Sequence, residues 1–344
     1  MLYRERTVDT PHGPVDTPTL FPVRNVGKRS SDNTPGYTDR IPDLQTALVN
    51  TRAIKNNRPQ WERLTGDHEL RSEMDATAET VVFADSGGFD FEESDPDVSA
   101  VEIVEAQETI GADFLGTVDL PLSRENRRAE NQRRIDESTR LALEASDAHD
   151  GDGHLIASVH GYDPETIENG IEYLEANGKF DGYAVGSLVP IRTDYERVTK
   201  LIIAARRATE KHLHVYGLGG ITYQPLLLYL GVDSFDSTAF IQSAAQRNYL
   251  SPGHGCQPIA EIEGLDRLPC PCPTCKDSTL SEIRADRTLL TRHNLWALVT
   301  ELRRFRFAVA ADRDMEEYLD MRFAGNPVAN RAYQTAKQQI RRLT

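Results

Sequence analysis

The stretch Thr80-Val-Val-Phe-Ala-Asp-Ser-Gly-Gly-Phe89 carries the pattern that decides the fold: a short apolar, β-branched run that ends on a carboxylate and glycines. Similar runs, each ending on a polar or glycine residue, occur at residues 112–118, 154–159, 183–185, 213–216 and 232–235. Strands of a parallel sheet are covered on both faces, so they consist of nearly continuous apolar runs. These segments are therefore predicted to be strands of a parallel sheet.

Helical segments are predicted between the strands, at residues 124–148, 164–176 and 195–211. Alternating strands and helices are typical of α/β proteins with a parallel sheet. A doubly wound sheet and a (β/α)8 TIM barrel both place ligands at the carboxyl ends of strands, and the number of units favours the barrel. We expect the barrel to comprise residues 1–255 and 290–344, with a zinc-binding subdomain at residues 256–298. Residues 30–37 are predicted to form a polar loop or flap.

The net charge of −15 argues at first against a nucleic-acid partner. Seven of the 39 basic residues are lysine, and 54 residues are acidic. This combination resembles the surface chemistry of halophile proteins, in which net charge maintains solubility. A negative total therefore does not exclude a polynucleotide partner, but it requires a local basic site.

The cysteines are few and clustered. Three of the four lie in Cys270-Pro-Cys272-Pro-Thr-Cys275, and His293 follows one short helical segment later. Three thiolates and an imidazole fit tetrahedral Zn²⁺ at about 2.0–2.3 Å, and a closed set of four ligands indicates a structural ion. The alternative is a group of buried or free cysteines. Cys256 is left over and is expected to pack.

The sequence has no basic-then-apolar leader and no apolar run long enough to span a bilayer. We therefore expect a soluble, cytoplasmic protein with no membrane partner. Clustered cysteines in such a protein favour a metal site over disulfides.

Aspartates end several of the predicted strands. Asp236 stops the apolar run in Gly231-Val-Asp-Ser-Phe-Asp-Ser237, Asp85 precedes Ser-Gly-Gly, and Asp119 precedes Leu-Pro. Taken singly, such acids are more often helix caps or turn residues. Together at the ends of different strands, two carboxylates facing a glycosidic bond can act as nucleophile and acid/base. A third can accept hydrogen bonds from a purine edge.

Several motifs together resemble the catalytic part of the tRNA-guanine transglycosylase family, in particular its archaeal, archaeosine type. They are Asp85-Ser-Gly-Gly-Phe89, Ala184-Val-Gly-Ser-Leu-Val-Pro190, Phe235-Asp-Ser-Thr-Ala-Phe240, Tyr249-Leu-Ser-Pro252 and Pro269-Cys-Pro-Cys-Pro-Thr-Cys275. The resemblance extends from Thr10 to Trp296 and implies a (β/α)8 barrel with a zinc-bearing insertion. It also implies that a guanine in a polynucleotide is replaced by a free 7-deazaguanine without strand cleavage.

The resemblance implies a role for each matching residue. Asp236 matches the nucleophile that attacks the ribose C1′, and Asp85 matches the acid/base. The residues expected to bind or wall the base are Ser86, Asp119, His160, Gly186, Ser187 and Tyr216. The expected zinc ligands are Cys270, Cys272, Cys275 and His293.

Some positions depart from the family pattern. Asp90 and His160 occupy positions where glutamine is usual, and Ser187 occupies a position where glycine is usual. A neutral imidazole offers one donor and one acceptor, so the identity of the inserted 7-deazaguanine stays open. The C-terminal RNA-binding domains of the archaeal enzymes are expected to be missing, and a compact relative of the family acts on DNA. Both tRNA and DNA are therefore candidate substrates, and either must present an unstacked guanine.

Two arginine-rich groups are candidate phosphate contacts. They are Arg124, Arg127, Arg128, Arg133 and Arg134, and Arg303, Arg304, Arg306, Arg341 and Arg342. The alternative is ordinary helix surface in which such arginines pair with acids.

A non-catalytic partner subunit is the main alternative function, and loss of Asp236 or Asp85 would mark such a protein. A glycoside hydrolase barrel also uses paired acids, but it gives no reason for the cysteine cluster. A homodimer or a partner protein is left open.

Overall fold

The computed structural model describes residues 1–26, 41, 44–66, 68–88 and 99–342. The loop predicted at residues 30–37 and the unusual Asp90 lie outside these residues. Within them the strands are β1 (Arg6–Val8), β2 (Val15–Thr17), β3 (Thr19–Pro22), β4 (Thr46–Asn50), β5 (Val81–Asp85), β6 (Phe114–Gly116), β7 (His154–Val159), β8 (Gly182–Val185), β9 (His212–Val215), β10 (Ser234–Ser237), β11 (Asn248–Ser251) and β12 (Gly255–Pro258).

The described helices surround these strands. They are α1 (Thr51–Asn56), α2 (Arg58–Leu64), α3 (Leu70–Glu73), α4 (Ala100–Thr109), α5 (Arg128–Ala148), α6 (Pro164–Asn177), α7 (Tyr195–Ala208), α8 (Gln224–Tyr229), α9 (Ala239–Ala245), α10 (Pro273–Asp277), α11 (Leu280–Ala285), α12 (Arg287–Ala310), α13 (Met315–Phe323) and α14 (Pro327–Arg341).

The predicted barrel is confirmed. Among the described residues, eight parallel strands lie in the order β3-β10-β9-β8-β7-β6-β5-β4. The two outer strands of this order, β3 and β4, approach each other through a parallel bridge between Val23 and Leu48. The Arg24 backbone N–H also donates to the Leu48 carbonyl at 2.7 Å. The sheet therefore curves around until its first and last strands meet.

Aromatic side chains fill the barrel interior. Phe83 stacks on Phe114 with ring centres 5.9 Å apart, and Phe21 meets both of these rings edge-on. All three are at most 1% exposed, and Val8 and Val15 of the β1–β2 hairpin pack against the same cluster. Because the interior is packed, reactive groups are confined to the ends of the barrel.

Side-chain bonds to the backbone set two helix boundaries that differ from the sequence prediction. Helix α5 begins at Arg128 rather than at residue 124, and Asn131 exchanges hydrogen bonds with the backbone of Ser123 across that turn. Helix α7 ends at Ala208, since Thr209 is extended and its carbonyl accepts from the Arg206 guanidinium. Both effects depend on specific side-chain contacts rather than on helix propensity.

Helix α12 links the cysteine cluster to the barrel. It carries His293 near its start, and it packs against β3, β11, α8, α9 and α10. None of the helices in the described part of the chain is long and apolar enough to cross a membrane.

Candidate active site and metal centre

A cavity of about 90 Å³ opens at the carboxyl ends of the barrel strands. Three carboxylates from different strand ends line it, namely Asp85, Asp119 and Asp236. Asp85 is the last residue of β5, and Asp236 lies near the end of β10. The remaining lining residues are Leu48, Gly88, Pro121, Gly186, Ser187, Val189, Pro190, Tyr216 and Gly217. The acids that the sequence analysis singled out therefore meet in one cavity.

Asp236 is held through one of its two oxygens. Its Oδ1 accepts a 2.6 Å hydrogen bond from the Gly217 backbone N–H, and His214 Nε2 lies 3.4 Å from the same oxygen. Gly217 has φ = 72°, a left-handed conformation that glycine adopts without strain. The Asp236 side chain retains 11% exposure, so the carboxylate is held at one oxygen and remains accessible.

Asp85 lies at the start of the glycine turn. Its Oδ2 accepts a 3.2 Å hydrogen bond from the Gly87 backbone N–H, and Gly87 has φ = 96°. Asp85 is more exposed than Asp119 or Asp236, which are 5% and 7% exposed. A partly exposed carboxylate that lines the cavity can exchange protons with solvent and with a bound ligand.

Asp119 is enclosed by small neighbours. A Cβ on Gly88 would lie 2.3 Å from Asp119 Oδ1, so the close approach of the β5 turn requires glycine. The buried Ser86 hydroxyl donates to the same oxygen at 3.3 Å. Ser86 therefore supports Asp119 from behind, while Asp119 faces the cavity.

His160 also lies behind Asp119. Its Nε2 is 2.8 Å from Asp119 Oδ2, although the pair is not aligned as a hydrogen bond. The imidazole is fully enclosed and is not among the residues that line the cavity. A Cβ on Gly186 would lie 2.5 Å from His160 Cε1, so glycine makes room for this ring. The imidazole thus contacts the carboxylate rather than the cavity.

Ser187 determines the orientation of the His160 ring. Its Oγ accepts from the Leu122 backbone N–H at 2.7 Å and lies 2.8 Å from His160 Nδ1. With one lone pair occupied, the hydroxyl proton can point at Nδ1, which leaves the imidazole proton on Nε2, facing Asp119. Ser187 has φ = 59°, which is uncommon for a residue with a side chain.

Tyr216 forms one wall of the cavity. Its hydroxyl lies 3.4 Å from Ser158 Oγ, and a Cβ on Gly116 would come within 2.6 Å of it. Burial raises the pKa of Tyr216 well above its ordinary value, and the charges of Asp85, Asp119 and Asp236 raise it further. The phenol is therefore neutral, and it brings no negative charge to a cavity that already holds carboxylates.

The predicted metal ligands also meet. The ligand atoms of Cys270, Cys272, Cys275 and His293 all lie within 4.8 Å of one another. The three sulfurs are 3.7, 3.4 and 3.4 Å from His293 Nδ1. A tetrahedral zinc ion with ordinary bond lengths separates sulfur and nitrogen by about 3.6 Å. The group can therefore hold a metal ion without rearrangement.

Neighbouring groups prepare His293 for this role. Its Nε2 lies 2.8 Å from the Leu250 carbonyl, which fixes a proton on Nε2 and leaves Nδ1 as a ligand. Tyr249 stacks on the imidazole with ring centres 4.0 Å apart. Hydrogen bonds from Cys272 and Cys275 lower the pKa of Cys270, while the bond to Cys270 raises that of Cys275. One thiolate is therefore favoured at the expense of its neighbours, and a bound cation would be needed to hold all three sulfurs as thiolates.

Cys256 differs from its prediction. It was expected to pack, but it is exposed on β12. This strand forms a two-stranded sheet with β11, and Cys256, Gln257 and Pro258 are all exposed on it.

Sequence reasoning missed His214, which contacts Asp236. The signal was present in His212-Leu-His-Val-Tyr216, where polar side chains alternate with apolar ones in a buried strand. Alternate residues of a strand point to the same face, so His212, His214 and Tyr216 share the barrel interior with Asp236.

The part of the chain that contains these residues is similar to known proteins. The family model described as queuine tRNA-ribosyltransferase matches residues 2–327. A tRNA-guanine(15) transglycosylase from Aeropyrum pernix is 30% identical over 322 residues, which are 88% of this chain and 59% of the relative. Another, from Haloferax volcanii, is 28% identical over 343 residues, which are 96% of this chain and 64% of the relative.

A third tRNA-guanine(15) transglycosylase, from Methanococcus aeolicus, is 26% identical over 337 residues, which are 94% of this chain and 50% of the relative. The chain thus spans between 50% and 64% of the length of these relatives. The family match, in contrast, covers nearly all of it and includes the cavity and the cysteine cluster. The resemblance noted in the motifs is confirmed, and the chain belongs to the queuine tRNA-ribosyltransferase family.

Proposed function

We propose that this protein is a pentosyltransferase that exchanges guanine in a polynucleotide for a free 7-deazaguanine. The observation that carries the proposal is the meeting of Asp85, Asp119 and Asp236 in one cavity, with Asp236 held by a single oxygen. Three acids with different surroundings can divide nucleophilic attack, proton transfer and base recognition. The relatives named above are tRNA-guanine(15) transglycosylases, which agrees with this reaction class.

The exchange proceeds in two balanced steps. A carboxylate oxygen of Asp236 forms a bond to the ribose C1′, while the bond from C1′ to N9 of guanine breaks. Guanine leaves with the electron pair, and the Asp85 carboxyl supplies a proton to it. The incoming 7-deazaguanine then returns a proton to Asp85 as its nitrogen displaces Asp236 from C1′. The phosphodiester backbone takes no part, so the strand stays intact.

Asp119 is the proposed reader of the base. A carboxylate accepts hydrogen bonds from the ring N–H and the amino group of guanine, and a 7-deazaguanine carries the same edge. Ser86 and His160 hold Asp119 from behind, so its oxygens are oriented before a base arrives. Tyr216 would form one wall of the base site.

Zinc is the proposed occupant of the cysteine cluster, with Cys270, Cys272, Cys275 and His293 as ligands. A closed Cys₃His set leaves no position for substrate, and none of the four residues lines the acid cavity. Zinc would supply cross-linking between the 270–275 segment and helix α12. A Cys272→Ala variant should therefore lose zinc and stability together, as measured by metal analysis and thermal unfolding. Full zinc occupancy in the variant would contradict the ligand assignment.

The polynucleotide would approach over a groove beside the acid cavity. The groove has a volume of about 500 Å³ and shares Ser187 and Pro190 with that cavity. Arg124 and Arg197 line it, and both are exposed. Tyr162, which also lines the groove, offers an aromatic face for a neighbouring base.

Other arginines of the first predicted group serve different purposes. Arg133 and Arg134 bond to Glu130, and Arg134 is 5% exposed. These pairs agree with the helix-surface alternative for both residues. Arg128 lies 4.6 Å above the Tyr162 ring and lines a neighbouring cavity rather than the groove. We therefore assign phosphate contacts to Arg124 and Arg197, on the groove side.

The experiment is a base-exchange assay. Radiolabelled guanine or 7-cyano-7-deazaguanine is offered with tRNA, duplex DNA or single-stranded DNA at high salt. We expect incorporation that requires Asp236, and the substrate that takes up label identifies the polynucleotide. No label with any substrate, and no covalent adduct, would contradict the proposal and favour a non-catalytic subunit. Repeating the assay with a purified partner would test whether that subunit role is correct.

A further inference from the structure

We infer that His212, Ser234 and His214 form a buried hydrogen-bonded relay that positions Asp236 and selects its Oδ2 as the attacking oxygen. The three residues are called the histidine relay below. This inference rests on the proposed function, because it concerns the nucleophile of that reaction. It assigns a positioning role to residues that the reaction scheme above does not use.

The relay is continuous in the barrel interior. His212 Nε2 lies 2.6 Å from Ser234 Oγ, and His214 Nδ1 lies 2.7 Å from the same oxygen. His214 Nε2 then lies 3.4 Å from Asp236 Oδ1. Ser234 and His214 are 0% exposed, and His212 is 8% exposed. His212 and His214 occupy alternate positions of β9, and Ser234 lies on β10. The two strands pair in parallel, with Ser234 opposite His214.

The donors and acceptors of the relay fit one direction of hydrogen-bond donation, from His212 towards Asp236. If His214 carries its proton on Nε2, facing Asp236, its Nδ1 must accept from the Ser234 hydroxyl. The Ser234 oxygen then accepts from His212 Nε2–H. Each neutral imidazole has one donor and one acceptor, and this order uses them without leaving a buried proton unpaired.

Burial keeps both imidazoles neutral, as this order requires. Desolvation lowers the pKa of His212 to about 3, against an opposing effect of the Asp233 charge. Desolvation also lowers the pKa of His214 despite its bond to Asp236. The Phe83 ring, 4.5 Å from the His214 ring, restricts its orientation. A neutral, fixed imidazole directs a donor at Asp236 without forming a full ion pair.

The far end of the relay reaches a second cavity. His212 lines a space of about 220 Å³ at the amino end of the barrel, together with His154, Asp181, Lys211 and Asp233. The relay therefore runs from a polar cavity at one end of the barrel to the acid cavity at the other. Its His212 end lies among charged groups.

The consequence concerns the two oxygens of Asp236. Oδ1 receives the Gly217 N–H and faces the His214 Nε2–H, so its lone pairs are engaged. Oδ2 is then the oxygen with the more available electron pair for the ribose C1′. Fixing one oxygen also fixes the direction from which the other attacks, and orientation of this kind contributes strongly to rate.

The test compares single-turnover rates of adduct formation in the full-length protein with a substrate found active in the exchange assay. His214→Leu should lower that rate about 100-fold with little change in KM for the polynucleotide, because binding contacts are untouched. His214→Gln should recover much of the rate, since its amide N–H can replace Nε2–H. Ser234→Ala should lower the rate about tenfold. His149→Gln is the matched control, as His149 pairs with Glu108 outside both cavities.

The outcomes separate the relay from the reaction. Adduct formation by the wild type with an unchanged rate in His214→Leu and Ser234→Ala would overturn the relay and leave the proposed function standing. A fall in thermal stability with a normal rate per folded molecule would also overturn it, because that result marks a structural role. If His214→Leu does not fold, Ser234→Ala and His214→Gln decide the question. No adduct in the wild type would remove the proposed function itself.

Discussion

Buried aspartates occupy both ends of the barrel, and their partners differ. At the amino end, Asp233 bonds to the guanidinium groups of Arg4 and Arg206 at 2.8 and 2.9 Å. Asp113 bonds to Arg71 at 2.7 Å and to the Val82 backbone N–H. Both carboxylates are at most 1% exposed. Their lone pairs are used by fixed charges, so these acids join strands to helices and the chain terminus.

At the carboxyl end, backbone N–H groups, a hydroxyl and an imidazole contact the acids. Asp85 and Asp236 accept from backbone N–H groups, and Asp119 meets the Ser86 hydroxyl and an imidazole. Arginine pairing fixes a carboxylate as a structural ion, whereas neutral donors orient it and leave it reactive. The same residue type thus has a structural role at one end of the barrel and a proposed chemical role at the other.

The largest expected effect is on activity at the carboxyl end. Asp236→Asn should lower base exchange at least a thousandfold, because an amide oxygen is a poor nucleophile and no adduct can form. Stability should change little, as the amide oxygen can still accept from Gly217. Label incorporation and adduct trapping measure the first effect, and urea unfolding measures the second. A normal adduct would remove Asp236 as the nucleophile.

The opposite pattern is expected at the amino end. Asp233→Asn should lower the free energy of unfolding by about 3–5 kcal/mol, because Arg206 would be left buried without its counter-charge. Exchange activity per folded molecule should stay near wild type. Urea unfolding is the measurement, with exposed Asp16→Asn as the control. Equal stabilities for the two variants would show that the buried ion pairs contribute little.

The pH dependence of stability tests His212, which lines the cavity at the amino end of the barrel. The pKa of His212 is about 3 in the folded protein, lower than about 6.5 in an unfolded chain. The unfolded state therefore binds more protons between these values, so stability is lost as the pH falls from about 6.5 towards 3. We expect a loss of about 1 kcal/mol per pH unit from this group.

A His212→Gln variant provides the comparison for that loss. Glutamine does not titrate, so the difference in unfolding free energy between wild type and variant should depend on pH in this range. Urea unfolding at several pH values from 4 to 7 measures it. Parallel curves for the two proteins would mean that His212 does not cause the acid sensitivity. Several neighbouring groups also affect the pKa of His212, namely Asp233, His214, His154 and Arg206. Because the variant removes only the His212 imidazole, the difference between the two curves measures the contribution of that imidazole.

The smallest effect is expected from Ser187, which contacts His160 behind Asp119, the carboxylate proposed to bind the base. Ser187→Ala keeps a side chain at the left-handed position and removes the hydroxyl that orients His160. A loss of about 1 kcal/mol, or about fivefold in KM for the free base, is expected with kcat nearly unchanged. Steady-state exchange kinetics measure it. A change in kcat alone would place Ser187 in the chemical step rather than in base recognition.

Much of this protein was predictable from local sequence. All six predicted strands overlap observed ones, because continuous apolar, β-branched runs favour strands wherever both faces are covered. The fold class followed from the alternation of these runs with helices. The cysteine cluster was equally readable, since three of its ligands lie within six residues. Strands β3 and β4, which complete the barrel, were not predicted.

The roles of individual acids depended on tertiary structure. Asp233 and Asp236 lie three residues apart, yet one faces Arg4 and Arg206 and the other faces the cavity. Nothing local distinguishes them, because Arg4 is more than two hundred residues away in sequence. The relay through His212 and His214 likewise exists because β9 pairs with β10 in one register. The sequence by itself determined strands, helices and a metal-ligand cluster, since these depend on neighbouring residues. Tertiary structure decided which carboxylates pair with arginine and which line the cavity, because that depends on partners supplied by distant strands.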